Sequence, residues 1–99
     1  MARILLDLHN PAFQSEWFAL DRETAAALLS SLRELRSLEW NELYRDAGFR
    51  WQAVVSKAGP GGRRIYTLRI TRGVRAVAYR DEDFLRFLSL HRDHDSAYE

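Results

Sequence analysis

Residues 66–79 carry the pattern that most restricts the fold. Tyr66, Leu68 and Ile70 alternate with Thr67, Arg69 and Thr71, and beyond Gly73 the residues Arg75, Val77 and Tyr79 alternate with Val74, Ala76 and Ala78. Side chains on a pleated strand point to opposite faces with a period of two, so each segment can set one row against a core. Two such segments joined at Thr71-Arg72-Gly73 predict a β-hairpin. Gly73 is expected to supply the positive φ that a hairpin turn usually needs.

The rest of the chain reads as support for this hairpin. Residues 3–8 form a short apolar run with strand character that stops at His9-Asn10-Pro11. Asn10 suits a helix N-cap and Pro11 the first helical position, and Phe13, Trp17 and Leu20 would give the helix that follows one apolar face. Asp21 caps a longer helix expected to reach about Leu38, with Ala25, Leu28, Leu32, Leu35 and Leu38 on one stripe. Trp40, Leu43, Tyr44 and Ala47 predict a further short helical piece ended by Gly48 as a C′ glycine. Trp40 and Tyr44 read as packing groups.

From Phe49 the period returns to two. Trp51, Ala53 and Val55 stand against Gln52, Val54 and Ser56, and the glycine- and proline-rich residues 58–62 close the strand as a loop. That loop is not a phosphate-binding P-loop, because it lacks the Gly-Lys-Ser/Thr ending and no helix follows it. Residues 84–90 fit two descriptions: a strand, or a helix capped by Asp81 with Phe84, Leu85, Leu88 and His91 on one face. The predicted fold class is α+β, with helices packed on one face of a largely antiparallel four- to five-stranded sheet, and residues 1–99 as a single domain.

The chain has no cysteine, which excludes disulfides, thiolate metal sites and a cysteine nucleophile. No apolar stretch approaches the roughly 20 residues needed to span a bilayer, and the N-terminal apolar run is too short for a signal peptide, so a cytoplasmic, membrane-free protein is expected. The net charge of +1 conceals a segregation: residues 49–80 hold eight cations (Arg50, Lys57, Arg63, Arg64, Arg69, Arg72, Arg75, Arg80) and no carboxylate. Two readings follow. One is an anion-facing surface, nucleic acid being the commonest partner; the other is a solvated sheet face whose arginines pair with the acidic C-terminal tail.

In that tail His91, Asp93, His94, Asp95 and Tyr98 crowd together. Two imidazoles and carboxylates in close sequence also raise a metal site, against which stand the lack of cysteine and a spacing unlike a zinc motif. The alternative is that His91 closes the last strand and the tail pairs with strand arginines.

Arg69, Gly73, Arg75 and Tyr79 form an Arg-x-x-x-Gly-x-Arg-x-x-x-Tyr pattern within Tyr-Thr-Leu-Arg-Ile and Gly-Val-Arg-Ala-Val-Ala-Tyr-Arg. With the order short strand, Pro-led helix, amphipathic helix and successive strands, it resembles the RelE/ParE toxin superfamily of bacterial toxin–antitoxin systems. The similarity is strongest over residues 65–98, and it favours a strand over residues 84–90. The resemblance implies a ribosome-dependent mRNA endoribonuclease in which a ribose 2′-OH attacks the adjacent phosphate, or, on the ParE branch, a non-catalytic inhibitor of DNA gyrase or an inactive relative. It implies Arg75, His91, His94 and Tyr98 as catalytic groups; Arg64, Arg69 and Arg72 are candidate contacts to RNA phosphates that the motif does not fix, and Lys57 and Arg63, which flank the glycine-rich loop, join them from the cationic block. No metal or cofactor is expected. A cognate antitoxin, the ribosome and mRNA are the implied partners.

Overall fold

Side-chain caps start the two longer helices where the sequence places them. In the computed structural model, which describes residues 2–92, Asn10 Oδ1 accepts hydrogen bonds from the backbone N–H groups of Ala12 (2.8 Å) and Phe13 (3.3 Å). Pro11 opens α1 (Pro11–Phe18), its missing N–H being one that no helix start can satisfy internally. Asp21 Oδ2 accepts from the Thr24 N–H at 3.1 Å and opens α2 (Arg22–Arg36). A third helix, α3 (Trp40–Arg45), follows with a capping box between Glu39 and Glu42.

The strands are β1 (Leu5–Asp7), β2 (Gln52–Val54), β3 (Ile65–Thr71), β4 (Val74–Asp81) and β5 (Phe84–Arg92). They form one sheet in the order β1-β5-β4-β3-β2, antiparallel except that β1 runs parallel to β5. The α+β class read from the alternation is therefore the observed one, and residues 84–90 are strand.

The helices cover one face. Leu28, Leu32 and Leu35 of α2 and Phe13 of α1 are buried with Leu68, Ile70, Val74, Ala76, Ala78, Leu85, Phe87 and Leu90 of the sheet. Full burial of each large side chain contributes roughly 1.5–3 kcal/mol, and the Phe13 and Phe87 rings, 5.0 Å apart, join α1 to β5. A smaller apolar group occupies the opposite face: Val54, Ile65 and Val77, with Tyr79 and Leu88 against them. Among the described residues no α-helix lies on that second face, though Gly59, at the start of a single 3-10 turn (Pro60–Gly62), packs against Ile65.

One irregularity decides what that face carries. On β5, Leu85 and Phe87 point to the helices, so strict alternation would turn Ser89 and His91 inward and Leu90 outward. Instead the pairing of β4 with β5 shifts, Val77 facing Ser89 while Ala78 faces Phe87, which leaves Leu88 as an extra residue. Such a β-bulge re-aims every side chain beyond it. Leu90 joins the core, and Ser89 and His91 turn to the open face.

The structure corrects three expectations. Gly73 is not at positive φ: the described residues with positive φ are Arg50, Gly61, Gly62 and Glu82. The β3–β4 turn instead uses a hydrogen bond from the Gly73 N–H to Thr71 Oγ1 (3.2 Å) and a bulge between Arg69 and Thr71. Gly48 is not a C′ glycine either. Helix α3 ends at Arg45, and Asp46, in extended conformation, accepts from the Gly48 and Phe49 N–H groups at 2.7 and 3.0 Å, a local side-chain turn replacing a left-handed cap. The strand after Phe49 is shorter than its alternation suggested: it ends at Val54, and Val55 is 86% exposed.

Candidate nucleic-acid interface

Register places three of the predicted site residues in one row. Arg69 on β3 is opposite Arg75 on β4, and Arg75 is opposite His91 on β5. All three point to the helix-free face, Arg69 and Arg75 because their neighbours Leu68, Ile70, Val74 and Ala76 point to the helices, His91 because of the bulge. Neighbouring strands lie about 4.8 Å apart, so two guanidinium groups and an imidazole are carried across roughly 10 Å of sheet. Among the described residues no carboxylate lies within ion-pair distance of Arg69. His91 Nε2 is 2.8 Å from Ser89 Oγ.

Arg72 sits in the exposed turn beyond the row. With Arg69 it lines an open depression of about 370 Å³, whose other walls include Glu34 and Asp46. Lys57, Arg63 and Arg64 lie at the far end of β3. They line a second depression of about 310 Å³ beside Val54 and Val55, with no carboxylate among its lining residues. From Arg69 to Ile65 the strand advances about 13 Å at roughly 3.3 Å per residue, so these cations form a separate centre.

Three arginines in and beside this sheet have partners that define one end of it. Arg63 pairs with Asp81 at 3.3 Å and lies over the Tyr79 ring, 5.6 Å from its centroid. Arg80 turns to the helix side, 4.4 Å over Trp40, and donates to Tyr44 Oη at 2.9 Å. At the β1 end Arg86, unremarked in the sequence, bridges Asp7 (2.6 Å) and Asp81 (3.0 Å). Burial alone would raise the Asp7 carboxyl; the hydrogen bonds from Arg86 and the His9 backbone, and the Arg86 charge, outweigh it and hold the carboxyl below the ordinary aspartate value. The same bonds to Asp7 and Asp81 raise the Arg86 guanidinium further. One end of the open face is thus an ion network, and the other carries the Arg69–Arg75–His91 row.

His94 and Tyr98, and Asp95 of the metal reading, lie outside the described residues. Among the described residues no three histidine or acidic side chains converge in a way that would hold a metal ion, and no helix is long and apolar enough to cross a membrane.

Among solved structures the chain is similar to a copper-bound mutant toxin from Helicobacter pylori, with a TM-score of 0.51 and 20% identity over 94% of this chain and 96% of that one. At this identity the likeness is one of fold. No family model matches the sequence, and no curated protein matches it.

Sequence reasoning missed Ser89, the one described side chain within hydrogen-bond reach of the His91 ring. A signal was present: the buried positions Leu85, Phe87 and Leu90 are spaced by two and then by three, which is what a one-residue bulge does to a strand pattern.

Proposed function

We propose that this chain is the toxin of a toxin–antitoxin pair, of the RelE type, and that it cleaves mRNA in the ribosomal A site. The observation that carries the reading is the cross-strand row Arg69–Arg75–His91 on the face that no helix covers. The shared fold with a bacterial toxin supports the toxin half of it.

In the proposed reaction the 2′-oxygen of one nucleotide attacks the adjacent phosphorus and the bond to the 5′-oxygen breaks, giving a cyclic phosphate and a free 5′-hydroxyl. Arg75 and Arg69 hold the non-bridging oxygens and stabilise the added charge as it develops. His91, or His94 in the tail, takes the 2′ proton, a task suited to an imidazole near neutral pH, and the departing 5′ oxygen takes a proton from water. Tyr98 is assigned to the same site by resemblance. Lys57, Arg63, Arg64 and Arg72 guide the flanking phosphates, and a cognate antitoxin covers the cationic face until it is removed. The whole chain acts as one domain, in the cytoplasm, where its ribosome and mRNA are.

Regulated expression, with in vitro translation of a reporter and mapping of mRNA ends, tests the reading. Wild-type protein is expected to arrest translation and to cut the message within the A-site codon, and Arg75→Ala to abolish both. Translation unaffected by the wild type would overturn it. Arrested growth with intact mRNA and a DNA-damage response would move the assignment to the gyrase-inhibiting branch of the same superfamily.

A further inference from the structure

The β5 bulge does more than turn His91 outward. It also turns Ser89, two residues earlier, to the same face, so that the hydroxyl lies 2.8 Å from His91 Nε2. In an unbroken strand residues 89 and 91 would still share a face, but it would be the helix-covered one. The extra residue Leu88 therefore delivers a matched hydroxyl and imidazole, not a histidine alone, beside Arg75.

We infer that Ser89 is a positioning residue for His91, and that the bulge and the hydroxyl together make a one-sided imidazole. The contact engages Nε2 and leaves Nδ1 as the ring nitrogen free to meet a ligand; in the tautomer the inference assigns, Nε2–H donates to Ser89 Oγ and Nδ1 carries the lone pair. Fixing a tautomer through the nitrogen that does not react is how a neighbouring acceptor readies a histidine as a base. The inference rests on the proposed RNA chemistry for its consequence: Nδ1 takes the 2′-hydroxyl proton as the new bond to phosphorus forms, the bond to the 5′-oxygen breaks, and that oxygen takes a proton from water. The arrangement of the ring does not depend on that chemistry.

Three charged groups lie near the ring. Arg75 faces it from β4, Arg92 follows it on β5, and Glu16 of α1 reaches the neighbouring Leu90 N–H at 2.8 Å. Ser89 adds a neutral acceptor on Nε2, so removing the hydroxyl frees the ring to rotate without altering any charge.

Two measurements separate this inference from the reading beneath it. The first is nitrogen-15 NMR of the imidazole rings in the free protein. The His91 Nε2 proton is expected to be visible and slow to exchange in the wild type, lost in Ser89→Ala and restored in Ser89→Thr. A proton exchanging equally fast in wild type and Ser89→Ala would overturn the inference, whatever the protein does to RNA. The second is single-turnover cleavage of ribosome-bound mRNA as a function of pH. Ser89→Ala is expected to lower the cleavage rate about tenfold and to shift the acidic limb of the profile, with RNA affinity unchanged. His91→Ala is expected to remove that limb with a loss of about a hundredfold or more. Cleavage by Ser89→Ala at the wild-type rate and pH profile would also overturn the inference. Absence of cleavage by the wild type would sink the RNA reading and leave the NMR result to judge the histidine.

Discussion

Arg69 and Arg75 stand directly opposite each other on adjacent antiparallel strands. Like charges in that relationship destabilise a sheet by some tenths of a kcal/mol up to about 1 kcal/mol, a cost that a bound anion would offset. Arg69→Thr replaces one charge with a residue suited to strands, and is expected to raise the unfolding free energy by about 0.2–1 kcal/mol at low salt. The same change should weaken binding of a single-stranded oligoribonucleotide and reduce the slope of log affinity against log salt by about 0.7, the value of one lost phosphate contact. Urea titration and fluorescence anisotropy read the two effects. A variant that binds RNA as tightly as the wild type would show that the pair does not face the polyanion.

The other end of the same face behaves oppositely. Asp7 and Asp81 both hold Arg86, and Asp7 titrates below the ordinary aspartate value because Arg86 outweighs the cost of burial. A carboxyl depressed in the folded state binds fewer protons there than in the unfolded chain, so its stabilisation is complete above the unfolded value and disappears as pH falls through the folded one. Asp7→Asn is accordingly expected to cost about 1 kcal/mol at neutral pH, since a partly exposed ion pair with hydrogen bonds is worth that order. The difference should shrink as pH falls below about 4, the ordinary aspartate range. Chemical denaturation of both proteins across that range checks it, and a gap that persists in acid would assign the effect to packing.

Much of the scaffold was legible because short-range chemistry determines it. Asn10-Pro11 and Asp21 cap helices in the structure as their side chains suggest, and the leucine stripe of α2 is buried at Leu28, Leu32 and Leu35. The candidate row was half legible. Alternation alone puts Arg69 and Arg75 on one face, but their register with each other depends on the bulge between Arg69 and Thr71, and His91 joins them only through the bulge at Leu88. A single inserted residue reverses the facing of everything after it, and period counting within one segment does not see it. Arg86 was passed over for a related reason: Asp81 comes to it across the tight β4–β5 turn, but Asp7, 79 residues away in sequence, comes only through the parallel β1–β5 pairing, a long-range consequence of topology.

The two hairpin turns make a paired prediction. Gly73 is not at positive φ, and a Cβ placed there meets nothing within 4 Å. Glu82, by contrast, occupies the left-handed region at φ 56° in the two-residue turn between Asp81 and Phe84. That conformation costs a residue with a side chain about 1–2 kcal/mol, partly returned on substitution because glycine gains freedom in the unfolded chain. Glu82→Gly is therefore expected to stabilise the protein by about 0.5–1 kcal/mol, whereas Gly73→Ala should leave stability unchanged or raise it by a few tenths. The hydrogen bond from Arg80 Nε to the Glu82 carbonyl (2.6 Å) uses backbone and survives the first change. Thermal melts that rank the two substitutions the other way would mean that the left-handed conformation of Glu82 carries no strain.

Beyond Arg86, β1 no longer pairs with β5, and the outer edge of the longest strand would be open were it not for α1. Glu16 Oε1 accepts the Leu90 N–H at 2.8 Å, substituting a side chain for the missing strand. Leu90 is 6% exposed, so water does not readily replace a lost acceptor. Glu16→Ala is expected to cost about 1–3 kcal/mol, the penalty for an unsatisfied buried donor, and Glu16→Gln, which keeps an acceptor oxygen, markedly less. Because His91 follows Leu90 directly, the loss should also be local. Amide exchange at Leu90 is expected to quicken by more than the global destabilisation accounts for in Glu16→Ala and to stay near wild type in Glu16→Gln, with the His91 ring resonances broadening only in the former. Uniform acceleration across the sheet would mean that Glu16 contributes to overall stability without holding the strand that carries the histidine.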